Sequence, residues 1–328
     1  MRILVTGSTG FIGGALCREL CRQGHSVVAF HRPSSNLRLL EGLAVEHAVG
    51  DLTQPATIQA AMDGVEAVFH VGALLGSRQM ARSYAVIVEG TQSILQAARA
   101  AGVRRVIYTS SVAALGVPEH GRHDGSGPMT ETHAWNYRPD YWPYGYAKYL
   151  AEIEIQRAVS LGQDVVIVNP SVVYGPGDIY RQSSSVIVQV ARQRVPFLTE
   201  GGVNVIHVDD VVAGHLAALE RGRRGERYIL GGENISIERL VALVAEEAGV
   251  AAPGLVLPPG LVRGLSGVLG LLQPFLHLPL GVNELRLAGY DFYYDSRKAL
   301  LELGLPAPKP ARQAVADALA WFKEMGAA

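Results

Sequence analysis

The segment Thr6-Gly7-Ser8-Thr9-Gly10-Phe11-Ile12-Gly13 limits what this chain can fold into more than any other. An apolar run, Arg2–Thr6, precedes it and a helical pattern, Phe11–Gln23, follows, so the glycines fall in a strand–turn–helix context. Glycine at 7 permits a tight turn, Gly10 lets the backbone approach a pyrophosphate, and Gly13 allows close helix–strand packing. The first turn of such a helix, through Thr9, Phe11 and Ile12, offers N–H groups and partial positive charge to phosphate.

The alternation continues. Runs at Ser26–Phe30, Leu43–Val49, Ala67–Val71, Arg105–Thr109 and Asp164–Val168 read as further buried strands, with helices near Pro55–Met62, Met80–Ala101 and Tyr144–Leu161 between them. Together with the first strand they predict a doubly wound parallel sheet, an α/β fold of the Rossmann type. After Pro170 the pattern loosens: strands are expected at Val203–Val208 and Arg227–Leu230, and a helix at Ser236–Ala248 with Ser236 as N-cap and Gly249 at its end. The expected division is 1–170 with 203–228 as the dinucleotide-binding unit, and 171–202 with 229–328 as a smaller α/β substrate-binding unit. Within the first unit, between strand Arg105–Thr109 and the helix from Tyr144, residues 116–143 form a long connection rich in Gly, Pro, His and aromatics, a length that usually carries function.

Bulk properties exclude other classes. A formal net charge of −1 with no basic cluster argues against nucleic acid. Cys17 and Cys21 are the only cysteines, four apart in a helical pattern without a nearby third ligand, and read as buried thiols rather than a metal site. The apolar stretch Leu255–Val282 is broken by Pro258, Pro259, Arg263, Pro274 and Pro279, so no membrane span is expected, and an irregular helical segment lining a pocket is. The opening apolar run is too short for a signal peptide, which predicts a cytoplasmic protein.

The second strand ends at Phe30-His31-Arg32 without the acidic residue that would accept from ribose hydroxyls. Arg32 offers a guanidinium for a 2′-phosphate instead, favouring NADP(H) over NAD(H), with Ser34, Ser35 and Arg38 in reach to assist. Asp51-Leu52 closes the third strand, where the carboxylate can accept from an adenine amino group and the leucine can pack on the ring. At the start of a helix, Tyr144 and Lys148 stand four apart and share a face. An ammonium beside a phenol favours the phenolate, which makes tyrosine a usable acid–base near neutrality. Strand Arg105–Thr109 delivers Ser110 and Ser111 to the carboxyl edge of the sheet. No Gly-x-Ser-x-Gly elbow surrounds them, which argues against a hydrolase nucleophile.

Taken together, these residues resemble the extended short-chain dehydrogenase/reductase family, also described as NAD(P)-dependent epimerases and dehydratases. The matching pieces are Thr6–Gly13, Gly50-Asp51-Leu52, Val68–Ala73, Glu89-Gly90-Thr91, Tyr108–Ser111, Tyr144–Lys148 with Glu152, Asn169-Pro170-Ser171, Val173–Gly177, His207–Val211 and Tyr228–Glu233. The resemblance implies hydride transfer between nicotinamide and a carbinol or carbonyl carbon, with Tyr144 exchanging the proton, Ser111 orienting the oxygen, and Lys148 also holding the ribose. It implies that Ala73, Tyr108, Pro170 and Val173 pack around the cofactor, and that the protein is a homodimer through the Met80–Ala101 and Tyr144–Leu161 helices. Three departures narrow the chemistry. Val112-Ala113 replace the acidic pair of the dehydratases, Gly201–Val205 lack the diphosphate-binding arginine of many nucleotide-sugar enzymes, and Ile87 stands where an Asn is frequent. The expectation is an NADP(H)-dependent oxidoreductase for an apolar ketone, aldehyde or secondary alcohol, in the dihydroflavonol-reductase-like branch. The alternatives are a nucleotide-sugar epimerase with tightly bound NAD and a non-catalytic dinucleotide sensor.

Overall fold

Short apolar runs separated by glycine turns and helices form β1 (Arg2–Thr6), β2 (Ser26–His31), β3 (Val45–Val49), β4 (Ala67–His70), β5 (Arg105–Thr109) and β6 (Val165–Pro170). The computed structural model describes residues 1–74, 80–119, 127–180, 185–264 and 285–328. Its main sheet has seven strands, in the order β3, β2, β1, β4, β5, β6 and then Arg227–Leu230, every neighbour pair parallel. The seventh strand comes late in the chain and adds to β6 with Tyr228 opposite Val168. The strand order reverses between β1 and β4, and ligands of open α/β sheets bind at that crevice, outside the carboxyl ends of the strands.

Both faces of the inner strands are covered, which is why those strands read as continuous apolar runs rather than alternating ones. By contrast β3, expected to be a buried strand, lies at the sheet edge with Glu46, His47 and Val49 exposed. On one face α1 (Phe11–Arg22) and the helix Val208–Arg221 bury Leu16, Leu20, Val211 and Ala218 against Ile3, Val5, Ile107 and Val168. Cys17 is fully buried here, and burial pushes its thiol up to about 12, so it behaves as a small apolar side chain. After α2 (Pro55–Ala61), α3 (Met80–Tyr84) and α4 (Gly90–Ala100), the helix α5 (Pro143–Ser160) completes the other face. There Ile94, Leu95, Ala98, Ala151 and Ile155 pack on Leu4, Val28, Val106 and Ile167. Ile94, Leu95 and Ala98, apolar residues of the helix expected at a dimer interface, therefore serve the core of their own chain, while Leu150 and Ile153 of α5 are half-buried.

The long helix expected at Met80–Ala101 is not uniform. Between α3 and α4 the backbone widens into a π-turn over Ala85–Glu89, a distortion that is frequent at functional sites. Of the stretch 203–228, strand Gly202–His207 lies in a separate three-stranded sheet between Val172–Tyr174 and Glu233–Ser236, whereas the helix after it returns to the main sheet. Ser236 caps the helix Ile237–Ala248 by accepting from the Arg239 amide, and Gly249 ends it at φ +70°. Among the described residues no helix is long and apolar enough to cross a membrane, and no cluster of side chains suits a metal. His120, His123 and residues 265–282 of the apolar segment lie outside the described residues.

Candidate active site

The glycine turn joins β1 to α1 at the reversal point. Gly7 takes φ +66°, and a Cβ there would lie 2.7 Å from the Cα of Gly72, just after β4. A Cβ on Gly13 would stand 2.1 Å from the Gly7 carbonyl oxygen, so α1 approaches the turn as closely as backbone permits. Gly10 occupies the N-cap without a side chain to satisfy the first-turn amides. Thr9 is buried, Phe11 and Ile12 are half-buried, and Ala73 is exposed beside the turn. Such a cradle fits a pyrophosphate, which needs close backbone approach and N–H donors.

On the β2 side, Arg32 is exposed and lies near enough to Asp51 to help hold that carboxyl below the usual carboxylate range. The main cause is local: Asp51 Oδ1 accepts from the Thr53 amide at 2.8 Å and from its hydroxyl at 2.7 Å. Leu52 packs between Gly72 and Gly90, with its side chain 2.9 Å from where a Cβ on Gly72 would be.

Two strands from the glycine turn, β5 ends in Thr109-Ser110-Ser111. Ser111 has extended backbone and caps the short turn Val112–Leu115 through the Ala113 amide at 3.2 Å. Helix α5 closes on this turn because residue 145 is glycine: a Cβ there would meet the Ala113 carbonyl at 2.7 Å and the Trp135 ring at 2.9 Å. That approach sets the Tyr144 phenol facing the Ser111 hydroxyl. Burial pushes the phenol up to about 12, with Ser111 drawing it the other way. Sequence reasoning expected Lys148 to lower it. Instead the buried Lys148 donates its Nζ to the Thr109 carbonyl at 2.6 Å and lies 4.8 Å over the Tyr108 ring. Burial lowers Lys148 to about 7, against the opposing pull of Glu152. Pro170 is buried at the end of β6, and Val173 is buried in the small sheet opposite Ile206.

The sequence reading missed a buried hydrogen-bond chain behind the site. The Gly72 amide donates to Thr6 Oγ1 at 3.1 Å, and the Thr6 hydroxyl lies 2.7 Å from His70 Nδ1. The Thr91 hydroxyl donates to the Ile87 carbonyl at 2.6 Å, which leaves its oxygen to accept from His70 Nε2 at 3.0 Å. Every donor has an acceptor only if His70 is neutral and protonated on Nε2. Burial, reinforced by Lys148, accordingly lowers it to about 3. The chain ties the glycine turn, β4 and the π-turn into one rigid unit. Its signal in the sequence is a histidine ending an otherwise apolar strand.

A family model described as the NAD dependent epimerase/dehydratase family matches residues 3–231, well over half of the chain. The chain belongs to that family. Within it, sterol demethylase protein B of Methylococcus capsulatus is 36% identical over 99% of both chains. A 3 beta-hydroxysteroid dehydrogenase/Delta 5→4-isomerase of Mycobacterium tuberculosis is 30% identical over 98% of this chain and 90% of its own. Among solved structures, a nucleoside-diphosphate-sugar epimerase from Pseudomonas aeruginosa is similar at a TM-score of 0.82 and 28% identity, over 100% of this chain and 99% of that one. Membership of the epimerase/dehydratase family, with dehydrogenases among its relatives, makes this chain an enzyme of NAD(P)-dependent oxidoreduction.

Proposed function

We propose that the chain is an NADP(H)-dependent reductase or dehydrogenase acting on an apolar ketone, aldehyde or secondary alcohol. The observation that carries the reading is the facing pair of the Tyr144 phenol and the Ser111 hydroxyl at the end of β5. That strand is separated from β1 only by β4, so this pair stands ~10 Å from the glycine turn, given the usual strand spacing. In this reading Gly7–Gly13 hold the pyrophosphate, Arg32 the 2′-phosphate, Asp51 and Leu52 the adenine side, and Ala73, Pro170 and Val173 line the nicotinamide half. When bound, the cofactor supplies the hydride and, in its oxidised form, a positive charge near the phenol. Ser111 orients the substrate oxygen, Tyr144 gives or takes its proton, and Lys148 holds ribose hydroxyls while its ammonium steadies the phenolate.

Two observations favour an apolar substrate over a nucleotide sugar. Where many nucleotide-sugar enzymes carry a diphosphate-binding arginine, Gly202 is covered by the Tyr293 ring, 2.2 Å from where its Cβ would be. Beside α5, Trp142, Phe292, Tyr290 and Tyr137 form a continuous chain of ring contacts with centroids 5.7, 5.8 and 6.3 Å apart. The relatives named for a sterol and for a 3 beta-hydroxysteroid point the same way.

Cofactor titration tests the assignment. NADPH is expected to bind at least tenfold more tightly than NADH, and Arg32→Ala to weaken NADPH by roughly 10–100-fold with little change for NADH, the size of a lost charge-assisted phosphate contact. Equal losses for both cofactors would remove Arg32 from 2′-phosphate recognition.

A further inference from the structure

Tyr144, Lys148 and Glu152 stand four residues apart along α5, on one stripe, and all three meet the end of β5. Tyr144 faces the Ser111 hydroxyl and Lys148 takes the Thr109 carbonyl. Glu152 meets the residue between: its Oε1 accepts from the Ser110 hydroxyl at 2.5 Å. The same oxygen accepts from Asn169 Nδ2 at 2.7 Å, and that amide also donates to the Ser111 carbonyl at 3.0 Å. The other oxygen, Oε2, accepts from Arg227 at 3.1 Å. Arg227 then donates to the carbonyls of Glu131 and His133, each at 2.6 Å. Glu152 is 5% exposed.

A buried carboxylate is costly to desolvate unless its oxygens are filled. Here three donors from three separate parts of the chain fill them: Ser110 just after β5, Asn169 in β6 and Arg227 in the seventh strand. None of these contacts is needed to bury α5, whose apolar stripe of Ala147, Ala151 and Ile155 already does so. What the carboxylate adds is register. It fixes Ser110 through a side chain and Ser111 through Asn169, and through Arg227 it fixes the loop segment 131–133 to the same point.

Resting on the reading of Ser111 and Tyr144 above, we propose that Glu152 is a positioning residue for the reaction, holding the Ser111 hydroxyl in line with the Tyr144 phenol and locking the 131–133 segment to that alignment. It touches neither substrate nor cofactor. Its negative charge also acts on Lys148 and Tyr108 at the β5 end, alongside Arg227, and neutral His70 lies within electrostatic reach of Lys148.

Glu152→Gln keeps the shape and removes the charge. Measured as holoenzyme, it is expected to lose 10–100-fold in kcat, the size of a misalignment near one ångström. The Kd for NADPH is expected to stay within about threefold, because the glycine turn is untouched. The alkaline limb of the kcat profile should move to lower pH, since Lys148 loses the charge that sustains its protonation. Ser110→Ala, which removes one donor to Glu152 and leaves Ser111 in place, supplies a second variant should the first fold poorly. It is expected to lose several-fold in kcat, and the double variant to be no worse than Glu152→Gln alone. Unchanged kcat and pH profile with only a lower Tm in either variant, or strictly additive losses in the double variant, would overturn the positioning role. Failure of the underlying reading shows differently, as full turnover in Tyr144→Phe.

Discussion

Tyr144→Phe is expected to lower kcat/KM for carbonyl reduction by about 10³-fold, within the range known for removal of a positioned general acid. NADPH affinity should hardly change, because the phenol contributes little to the glycine turn or to Arg32. Stability should hold or rise slightly. The ring packs at the edge of the core that α4 and α5 form against the main sheet, and only a hydroxyl facing Ser111 is lost. That hydroxyl sits where burial pushes its pKa up to about 12, so the unliganded arrangement keeps it protonated and poised as a donor. Retention of more than a tenth of wild-type turnover would mean that another group moves the proton.

The second large effect concerns Lys148. Its pKa is about 7 in the folded chain against a usual 10.5, because burial opposes the charge. Between these two values the unfolded chain binds more protons than the folded one, so this group makes stability rise with pH across that window. Below pH 7 both states carry the proton and the penalty is complete, on the order of 4–5 kcal/mol from the shift. Lys148→Met is therefore expected to raise the stability of the cofactor-free protein near pH 6 by ~1–3 kcal/mol, after subtracting the lost bond to the Thr109 carbonyl. It should also flatten the rise between pH 7 and 10 while reducing turnover at least 10²-fold. Thermal unfolding from pH 6 to 10 checks both halves. A variant that is less stable at pH 6, with the same pH slope as the wild type, would show that Lys148 is held without penalty. Active sites commonly trade stability for function in this way.

Much of the fold was legible because its signals are local. The runs at Arg2–Thr6 and Arg105–Thr109 contain enough β-branched and apolar residues to be strands whatever they pair with, and Ser236 and Gly249 mark helix ends through their own backbone chemistry. Pairing across the chain was not legible. Nothing within Arg227–Leu230 announces that it extends β6, some sixty residues earlier, or within Val203–His207 that it leaves the main sheet for a small one. The π-turn at Ala85–Glu89 was not legible either, because one widened turn hardly disturbs the apolar periodicity of a long helix. At the site, spacing brought Tyr144, Lys148 and Ser111 to one end of β5, yet it could not give the direction of the tyrosine shift. That direction is set by burial, which depends on how closely Gly145 lets α5 approach the Val112–Leu115 turn. Glu152 was visible as a carboxylate on the same stripe, but its partners, Asn169 and Arg227, come from strands whose neighbourhood only the fold reveals.

In the proposed reaction hydride and proton meet at one carbon–oxygen bond beside Tyr144 and Ser111. NADPH deuterated at both C4 positions, incubated with the purified protein and a panel of apolar ketones including a 3-oxosteroid, tests this most directly. The expected result is one deuterium on the carbinol carbon of the product with matching oxidation of NADPH. A protein that instead purifies with firmly held NAD, and passes no label to any apolar product, would contradict the account and point to an epimerase.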